Sequence, residues 1–115
     1  YHFALYGDPR HLDEDTRITV YRVAQEAATN AVRHAQAQEF RLRLRIGERD
    51  GAQTLVLDIR DDGIGLPAGG TRRGGGGGRG LQSMRDRVTA LGGVFRVRQV
   101  ERGTRLHILI RARPA

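Results

Sequence analysis

Residues 40–46 alternate strictly between apolar and arginine side chains, reading Phe-Arg-Leu-Arg-Leu-Arg-Ile. A half-buried strand explains this period of two, because successive side chains of a strand point to opposite faces. Asp50-Gly51 then marks a hairpin turn, and the partner strand is predicted from Thr54 to about Asp61. Since the three arginines all leave the core on one side, the sheet should have one covered face and one substantially wet face.

The segment before this hairpin predicts a strand and a long helix. Residues 2–6 form a short apolar strand, closed by the turn residues 7–9. Residues 13–16, Asp-Glu-Asp-Thr, supply a helix N-cap and an acidic first turn. The helix should run to about Gln36 because small and apolar side chains recur with helical period. These are Ile18, Val20, Val23, Ala24, Ala27, Ala28, Ala31 and Ala35.

A second helix and a second hairpin follow a glycine-rich stretch. The helix is predicted from Leu81 to Leu91, closed by two glycines at 92 and 93. The hairpin consists of residues 94–100, a turn containing Gly103, and a final strand over 104–111. The order strand, helix, hairpin, loop, helix, hairpin predicts a two-layer α/β sandwich.

Composition sets the class of protein. A chain of 115 residues is one domain, and the absence of cysteine excludes disulfides and thiolate metal sites. No apolar run approaches the roughly 20 residues that span a bilayer, so we expect a soluble domain without membrane contact. The net charge of +7 invites a nucleic-acid interpretation, but the basic residues are all arginine and are not interleaved with aromatics. We therefore expect no specific nucleic-acid binding.

Strand parity places two polar side chains on the covered face. Asp61 shares a side of its strand with Leu55, Leu57 and Ile59, and Thr104 shares a side with the apolar residues of the last strand. A buried carboxylate needs a partner, and an acceptor beside a hydroxyl in an apolar slot suits the exocyclic amine of adenine. The alternative is that Asp61 lies past the strand end in solvent, as in many Asp-Asp-Gly turns.

Two further patterns point to phosphate and metal chemistry. Arg22, Glu26, Asn30 and His34 are spaced by four on the long helix, and a glutamate and an amide one turn apart offer the oxygen ligands that Mg²⁺ prefers. The alternative is a solvated helix face. Residues 69–80 contain eight glycines and lead into a helix, which lets backbone N–H groups approach phosphates. The alternative there is a linker.

Four motifs in order resemble the GHKL superfamily of nucleotide-binding domains. Residues 20–35 are similar to its N box, Asp61-Asp-Gly-Ile-Gly65 to the DxGxG box, Gly78-Arg-Gly-Leu81 to the GxGL box, and Gly103-Thr104 to the terminal Gly-Thr. The flanks, Gln25-Glu26 before Asn30 and residues 80–93, are similar to sensor histidine kinases of the NarX, LiaS and DesK type. Over residues 1–115 the resemblance implies the ATP-binding catalytic domain in the Bergerat fold, a mixed sheet with helices packed on one face.

The resemblance implies roles on the adenine side of the site. Asp61 would accept a hydrogen bond from the adenine amine, directly and through a water shared with Thr104. Gly63 and Gly65 would let the backbone pass close to the base.

On the phosphate side, Asn30 would hold Mg²⁺ against the phosphates with Glu26 nearby, for which we rank metal and water positioning above general base. Arg33 and His34 would contact phosphate. Three residues would belong to the lid over the triphosphate: Gly78, Gly80 and Leu81. Residues 66–80 are unusually short and glycine-rich for such a lid, so its lining contacts do not transfer residue by residue.

The implied reaction is phosphoryl transfer from ATP to a histidine on a separate dimerisation helix, then to an aspartate of a response regulator. None of the histidines, at positions 2, 11, 34 and 107, has the context of the family's phosphoacceptor. We therefore expect the dimerisation helices outside these residues, an isolated domain unable to phosphorylate itself, and a cytoplasmic location, with the parent protein either free or anchored in the inner membrane. The alternatives are an anti-sigma-factor serine kinase with the same boxes and a non-catalytic interaction module.

Overall fold

The computed structural model describes residues 2–33, 38–63, 76–99 and 103–112. In chain order these ranges contain β1 (His2–Tyr6), a 3-10 helix (Pro9–His11), α1 (Glu14–Arg33), β2 (Phe40–Arg49), β3 (Ala52–Asp61), α2 (Gly76–Ala90), β4 (Val94–Gln99) and β5 (Thr104–Ala112). Among the helices in these ranges, none combines the length and the apolar character needed to cross a membrane.

The strands form one sheet in the order β1-β2-β3-β5-β4. β1 pairs with β2 in parallel, and the other three pairs are antiparallel, so the sheet is mixed. Asp50 and Gly51 turn the first hairpin with φ of 53° and 78°, the left-handed conformations that a two-residue hairpin turn requires. α1 packs on β2 and β3, and α2 packs on β4 and on α1. The predicted two-layer α/β sandwich, with its helices on one face, is confirmed.

The core lies between the helices and the covered face of the sheet, which we call the inner face. Leu55, Leu57 and Ile59 of β3 are at most 2% exposed and form its centre. Around them pack apolar side chains from both helices and from the last strand: Val23, Ala27, Ala31, Met84, Val88, Leu106, Ile108 and Ile110. Burying each larger aliphatic side chain stabilises the fold by about 1.5–3 kcal/mol, so the alternating pattern of the strands fixes which face meets the helices.

The start of α1 has the predicted cap. The Asp13 carboxylate accepts hydrogen bonds from the Thr16 N–H (3.3 Å) and the Thr16 hydroxyl (2.6 Å), which satisfies an N–H of the first turn. Thr16 is buried, whereas Ile18, which belongs to the apolar pattern, is exposed. Arg33 is the last helical residue that the structure describes, and the predicted end at Gln36 lies outside the described residues.

Several element boundaries differ from those predicted. β2 continues past Ile46 to Arg49 because the hairpin pairing with β3 continues to its turn. α2 begins at Gly76 rather than Leu81, so the last glycines of the predicted loop are helical. Glycine lowers helix propensity, yet adding turns to an existing helix gains one backbone hydrogen bond per residue without a new nucleation step. Val100, predicted as the end of β4, lies outside the described residues.

Candidate nucleotide-binding site

The carboxylate of Asp61 ends the inner face of β3, where strand parity predicted it. Asp61 is the last residue of the strand and pairs with Thr104 on β5 and Phe40 on β2. Phe40 is 1% exposed and Thr104 is 8% exposed, while Asp61 itself is half-buried. The alternative of a fully solvated turn residue is wrong, since the carboxylate lies between a buried ring and a buried hydroxyl-bearing residue.

Asp61 is held by backbone donors and has no cation beside it among the described residues. The Gly63 N–H donates to its Oδ1 at 2.9 Å, and the backbone N–H of Thr104 also donates to the carboxylate. Burial raises the pKa of Asp61, the charge of Asp62 raises it further, and the two N–H donors oppose the shift. The group is thus a fixed acceptor in a partly desolvated position, oriented by its own chain.

Gly103 allows β5 to start against the end of β3. Its φ is +111°, and a Cβ built there would lie 1.7 Å from the carbonyl oxygen of Asp61. Only glycine fits this conformation and this approach without displacing the backbone. The Gly103-Thr104 pair therefore has a structural reason: the glycine permits the contact, and the threonine that follows directly opposes Asp61.

The neighbouring acid, Asp62, has a different role that sequence reasoning missed. Its Oδ1 accepts the backbone N–H groups of Gln38 (2.9 Å) and Glu39 (2.8 Å), which precede β2. Its own N–H donates to the Glu39 carbonyl at 3.3 Å. Asp62 thus fastens the start of β2 to the end of β3. The partners are 23 and 24 residues away in sequence, so no local pattern could have revealed them.

Glu26 and Asn30 lie on α1, which covers the same face of the sheet. They are one turn apart, both are partly buried, and they border the buried stripe of Val23, Ala27 and Ala31. Arg22, one turn earlier, is exposed. Three of the four residues predicted to share one side of the helix, Arg22, Glu26 and Asn30, therefore do so. The fourth, His34, lies outside the described residues.

The donor set on this flank fits Mg²⁺ only with help from a ligand. Glu26 and Asn30 offer a carboxylate and an amide oxygen, but the described residues contain no cluster of three acidic, histidine or cysteine ligands. Mg²⁺ is commonly held by one or two protein oxygens together with substrate phosphates. The two side chains fit that arrangement and do not form an all-protein metal cage.

The remaining predicted residues are described only in part. Gly78 and Gly80 are in the first turns of α2 as backbone, and Arg33 is the last helical residue described in α1. Leu81 is half-buried and packs against the core. Gly65 lies outside the described residues. The structure therefore brings together Asp61, Gly63 and Thr104, with Glu26 and Asn30 on the helix above the same face.

Known proteins with similar sequences are sensor histidine kinases. The sequence profile of the family "Histidine kinase-, DNA gyrase B-, and HSP90-like ATPase" matches residues 15–114. The histidine-protein kinase/phosphatase UhpB of Salmonella typhimurium is 40% identical over 101 residues, which is 88% of this chain and 18% of that protein. The sensor histidine kinase NarS of Mycobacterium tuberculosis is 42% identical over 87 residues, 74% of this chain and 19% of that protein.

Solved structures of the same fold are histidine kinases too. The histidine kinase domain of the Erythrobacter litoralis EL346 blue-light activated kinase is 25% identical with a TM-score of 0.67, covering 96% of this chain and 51% of that one. ShkA in complex with AMPPNP has a TM-score of 0.68 at 20% identity, covering 99% of this chain and 26% of that one.

These matches settle the family. The chain spans less than a fifth of the length of UhpB and NarS, so it corresponds to one part of such proteins. The family profile matches most of the chain, and the fold agrees with the GHKL α/β architecture. The chain belongs to the family of histidine kinase-, DNA gyrase B- and HSP90-like ATPases, in its sensor histidine kinase branch.

Proposed function

We propose that this chain binds Mg-ATP on the inner face of its sheet and transfers the γ-phosphoryl group to a histidine on a separate dimerisation helix. The observation that carries the proposal is the half-buried carboxylate of Asp61, held by two backbone donors and opposed by Thr104. An oriented acceptor in a partly desolvated slot matches the exocyclic amine of adenine. The family membership and the AMPPNP bound to ShkA support the same ligand class.

Each described residue then has a defined task. Asp61 accepts from the adenine amine, with the Thr104 hydroxyl beside it, and the backbone at Gly63 runs along the base. Glu26 and Asn30 hold Mg²⁺ together with the phosphate oxygens, and the metal supplies charge neutralisation when bound. The other contacts stay predictions from the sequence: Arg33 and His34 to the phosphates, Gly65 to the base, and Gly78, Gly80 and Leu81 in the lid.

In phosphoryl transfer the protein contributes mainly positioning and electrostatic stabilisation. The end of β3 would fix the base, and Glu26 and Asn30 on α1 would hold the metal that neutralises the phosphate charge. The attacking histidine belongs to the dimerisation helix, and the phosphoryl group then passes to a response regulator. We place this reaction in the cytoplasm, where ATP is available.

The adenine contact is tested by calorimetric titration of Mg-ATP into the wild-type chain and Asp61→Asn. The Gly63 N–H requires an acceptor at its partner atom, so the asparagine keeps its oxygen there and turns its NH₂ toward the base. A donor then faces a donor, and we expect affinity to fall about 100-fold or more. Asp58→Asn, on the same strand but the opposite face, is the matched control and should bind as the wild type does. Equal affinities in wild type and Asp61→Asn would rule out this adenine site.

The metal contact is tested separately with Asn30→Ala. ATP affinity in Mg²⁺ should fall about tenfold relative to wild type, while the affinities measured in excess chelator should be similar. Gln25→Ala removes an exposed amide from the other side of α1 and should change neither value. A loss of affinity in Asn30→Ala that is the same with and without Mg²⁺ would assign the residue to another contact.

Transfer itself is tested by joining the chain to its dimerisation helices and incubating with labelled ATP. We expect protein-bound phosphate that is stable in alkali and lost in acid, as for phosphohistidine. Acid-stable phosphate on serine would instead identify a serine kinase with the same nucleotide site.

A further inference from the structure

The face of the sheet turned away from the helices, the outer face, carries a continuous row of basic side chains. Cross-strand pairing aligns His2 with Arg41, Arg41 with Arg60, Arg60 with Arg105 and Arg105 with Arg98. Each strand contributes one member, and we call this set the basic row. With strands about 4.8 Å apart, the row is about 19 Å long.

The basic row is only partly neutralised by its own protein. Arg105 donates to both carboxylate oxygens of Asp58, at 3.2 and 2.9 Å, and His2 lies 3.3 Å from Glu39. Within the described ranges, Arg41, Arg60 and Arg98 have no carboxylate partner. Like charges directly opposite one another destabilise a sheet, so this arrangement is unfavourable for folding and favourable for an anionic partner.

A shallow pocket lies along the first part of the row. It has a volume of about 360 Å³ and is lined by His2, Arg41, Arg60 and Arg105, together with Arg43 and Asp58 from the next row. The guanidinium groups therefore surround a recess that can accept an anionic side chain.

The outer face also has an apolar edge, two rows from the basic row. There the register aligns Tyr6 with Arg45, Val56 with Leu109, and Leu109 with Val94. Tyr6 is 56% exposed, Val94 44% and Leu109 36%. At about 3.4 Å per residue, this apolar edge lies about 14 Å from the basic row. Arg45 stands between Tyr6 and Val56 in this row, and the row between it and the basic row contains Arg43, Asp58 and Arg96. The outer face therefore carries apolar side chains mainly along this one row and charged side chains over the rest.

We propose that the outer face is a docking surface for an acidic, amphipathic segment of a protein partner. Carboxylates of the partner pair with the basic row, and its apolar side chains cover the apolar edge. A helix repeats its side chains about every 5.4 Å per turn, close to the strand spacing, so a helix lying across the strands can present one carboxylate to each strand.

The composition of the face favours a protein over a phosphate polymer. A phosphate backbone gains nothing from Tyr6, Val94 and Leu109, whereas protein interfaces are enriched in arginine and tyrosine. Tyr6 is the sole aromatic that β1 to β5 present on this face within the described ranges, which disfavours binding by base stacking. The nucleotide site lies on the other face, so docking is independent of the proposed function.

Fluorescence anisotropy with a labelled synthetic helical peptide tests the proposal. The peptide carries one stripe of glutamates and a neighbouring stripe of leucines, and it is titrated with the chain at physiological ionic strength. Arg41→Gln with Arg60→Gln should weaken binding by about tenfold or more. Arg17→Gln with Arg87→Gln removes the same charge from exposed helix positions and should leave binding within about twofold of wild type. The double variant Tyr6→Ser with Leu109→Ser should also weaken peptide binding.

Several outcomes would overturn the proposal. One is equal weakening by the two arginine pairs, which would indicate attraction by net charge alone. Another is a double variant, Tyr6→Ser with Leu109→Ser, that binds the peptide as well as the wild type does, together with a wild type that binds duplex DNA or phosphatidylserine vesicles more tightly than the peptide. Should an arginine variant fail to fold, amide shift changes in the wild-type NMR spectrum decide. Changes confined to the strands support the docking surface, and changes centred on α1 or α2 contradict it.

Discussion

The two faces of β3 give a carboxylate opposite environments. Asp58 and Asp61 lie three residues apart and so point to opposite sides of the sheet. On the outer face the guanidinium of Arg105 lowers the pKa of Asp58 through two hydrogen bonds. On the inner face burial raises the pKa of Asp61, which is held by N–H donors. One acid is satisfied by its own fold, and the other remains available to a ligand.

Asp62, which adjoins Asp61, has a third role: it joins two strands. Its carboxylate accepts two backbone N–H groups that lead into β2. Three acids within five residues therefore form an ion pair, the proposed ligand site and a strand junction. Residue type alone does not separate these roles; the direction of each side chain and what lies opposite it do.

The largest effect is expected from disturbing the backbone contact beneath the inner acid. Gly103→Ala places a Cβ 1.7 Å from the Asp61 carbonyl oxygen, at a φ of +111°, and should destabilise the fold by about 3–5 kcal/mol in urea unfolding. Gly51→Ala also has a positive φ, but no atom lies within 4 Å of its added Cβ. That control should lose about 1–2 kcal/mol, and equal losses would remove the role assigned to the close approach.

Removal of the strand junction should have the next largest effect. Asp62→Ala leaves the N–H groups of Gln38 and Glu39 without their acceptor, and we expect a loss of about 1–2 kcal/mol. Asp86→Ala removes an exposed carboxylate whose bond is to Gln82 one helical turn away, and should change stability by about 0.5 kcal/mol or less. A similar loss in both variants would mean that the junction contributes nothing particular.

Asp58, on the outer face, should contribute little stability, and its contribution should depend on pH. Since the pKa of Asp58 is lowered in the folded state, its contribution is present above about pH 4 and is lost as pH falls through the folded value. The pair is partly exposed, so Asp58→Asn should cost about 0.5 kcal/mol at pH 7 and less at pH 2. Urea unfolding at both values measures this, and a difference that grows toward acid would contradict the assignment.

Substitution of Asp61, on the inner face, should have the smallest effect on stability, with the opposite pH dependence. A raised pKa means that the contribution of Asp61 is fully present below its unfolded value and is lost as pH rises through the folded value. The free energy of unfolding of Asp61→Asn should therefore equal that of the wild type in acid. Toward neutral pH the variant should become the more stable of the two. A variant that loses nucleotide affinity while gaining stability would separate binding from folding; a clear loss of stability at pH 7 would contradict this.

Much of the inner face could be predicted because period-two alternation fixes side-chain direction. The parity of Leu55, Leu57 and Ile59 placed Asp61 correctly, and the same reasoning placed Thr104 on the same face of the sheet. The N-cap at Asp13 and the turn at Asp50 were likewise local signals with local causes. Elements that depend only on neighbouring residues are the ones that a single sequence determines well.

The remainder depends on contacts between distant segments. The Asp62 bonds to the start of β2 and the approach of Gly103 to Asp61 follow from strand pairing, which sequence spacing does not encode. The basic row needs the order of all five strands, with β3 beside β5. The start of α2 at Gly76 was missed because glycine signals a loop locally, while an existing helix can extend through it.

A crystal structure of the chain with Mg-ADP would show directly whether Asp61 faces a purine between the sheet and the helices. We predict the adenine amine within hydrogen-bonding distance of the Asp61 carboxylate, with Thr104 alongside. A nucleotide bound elsewhere, with the Asp61 side chain turned into bulk water, would contradict it.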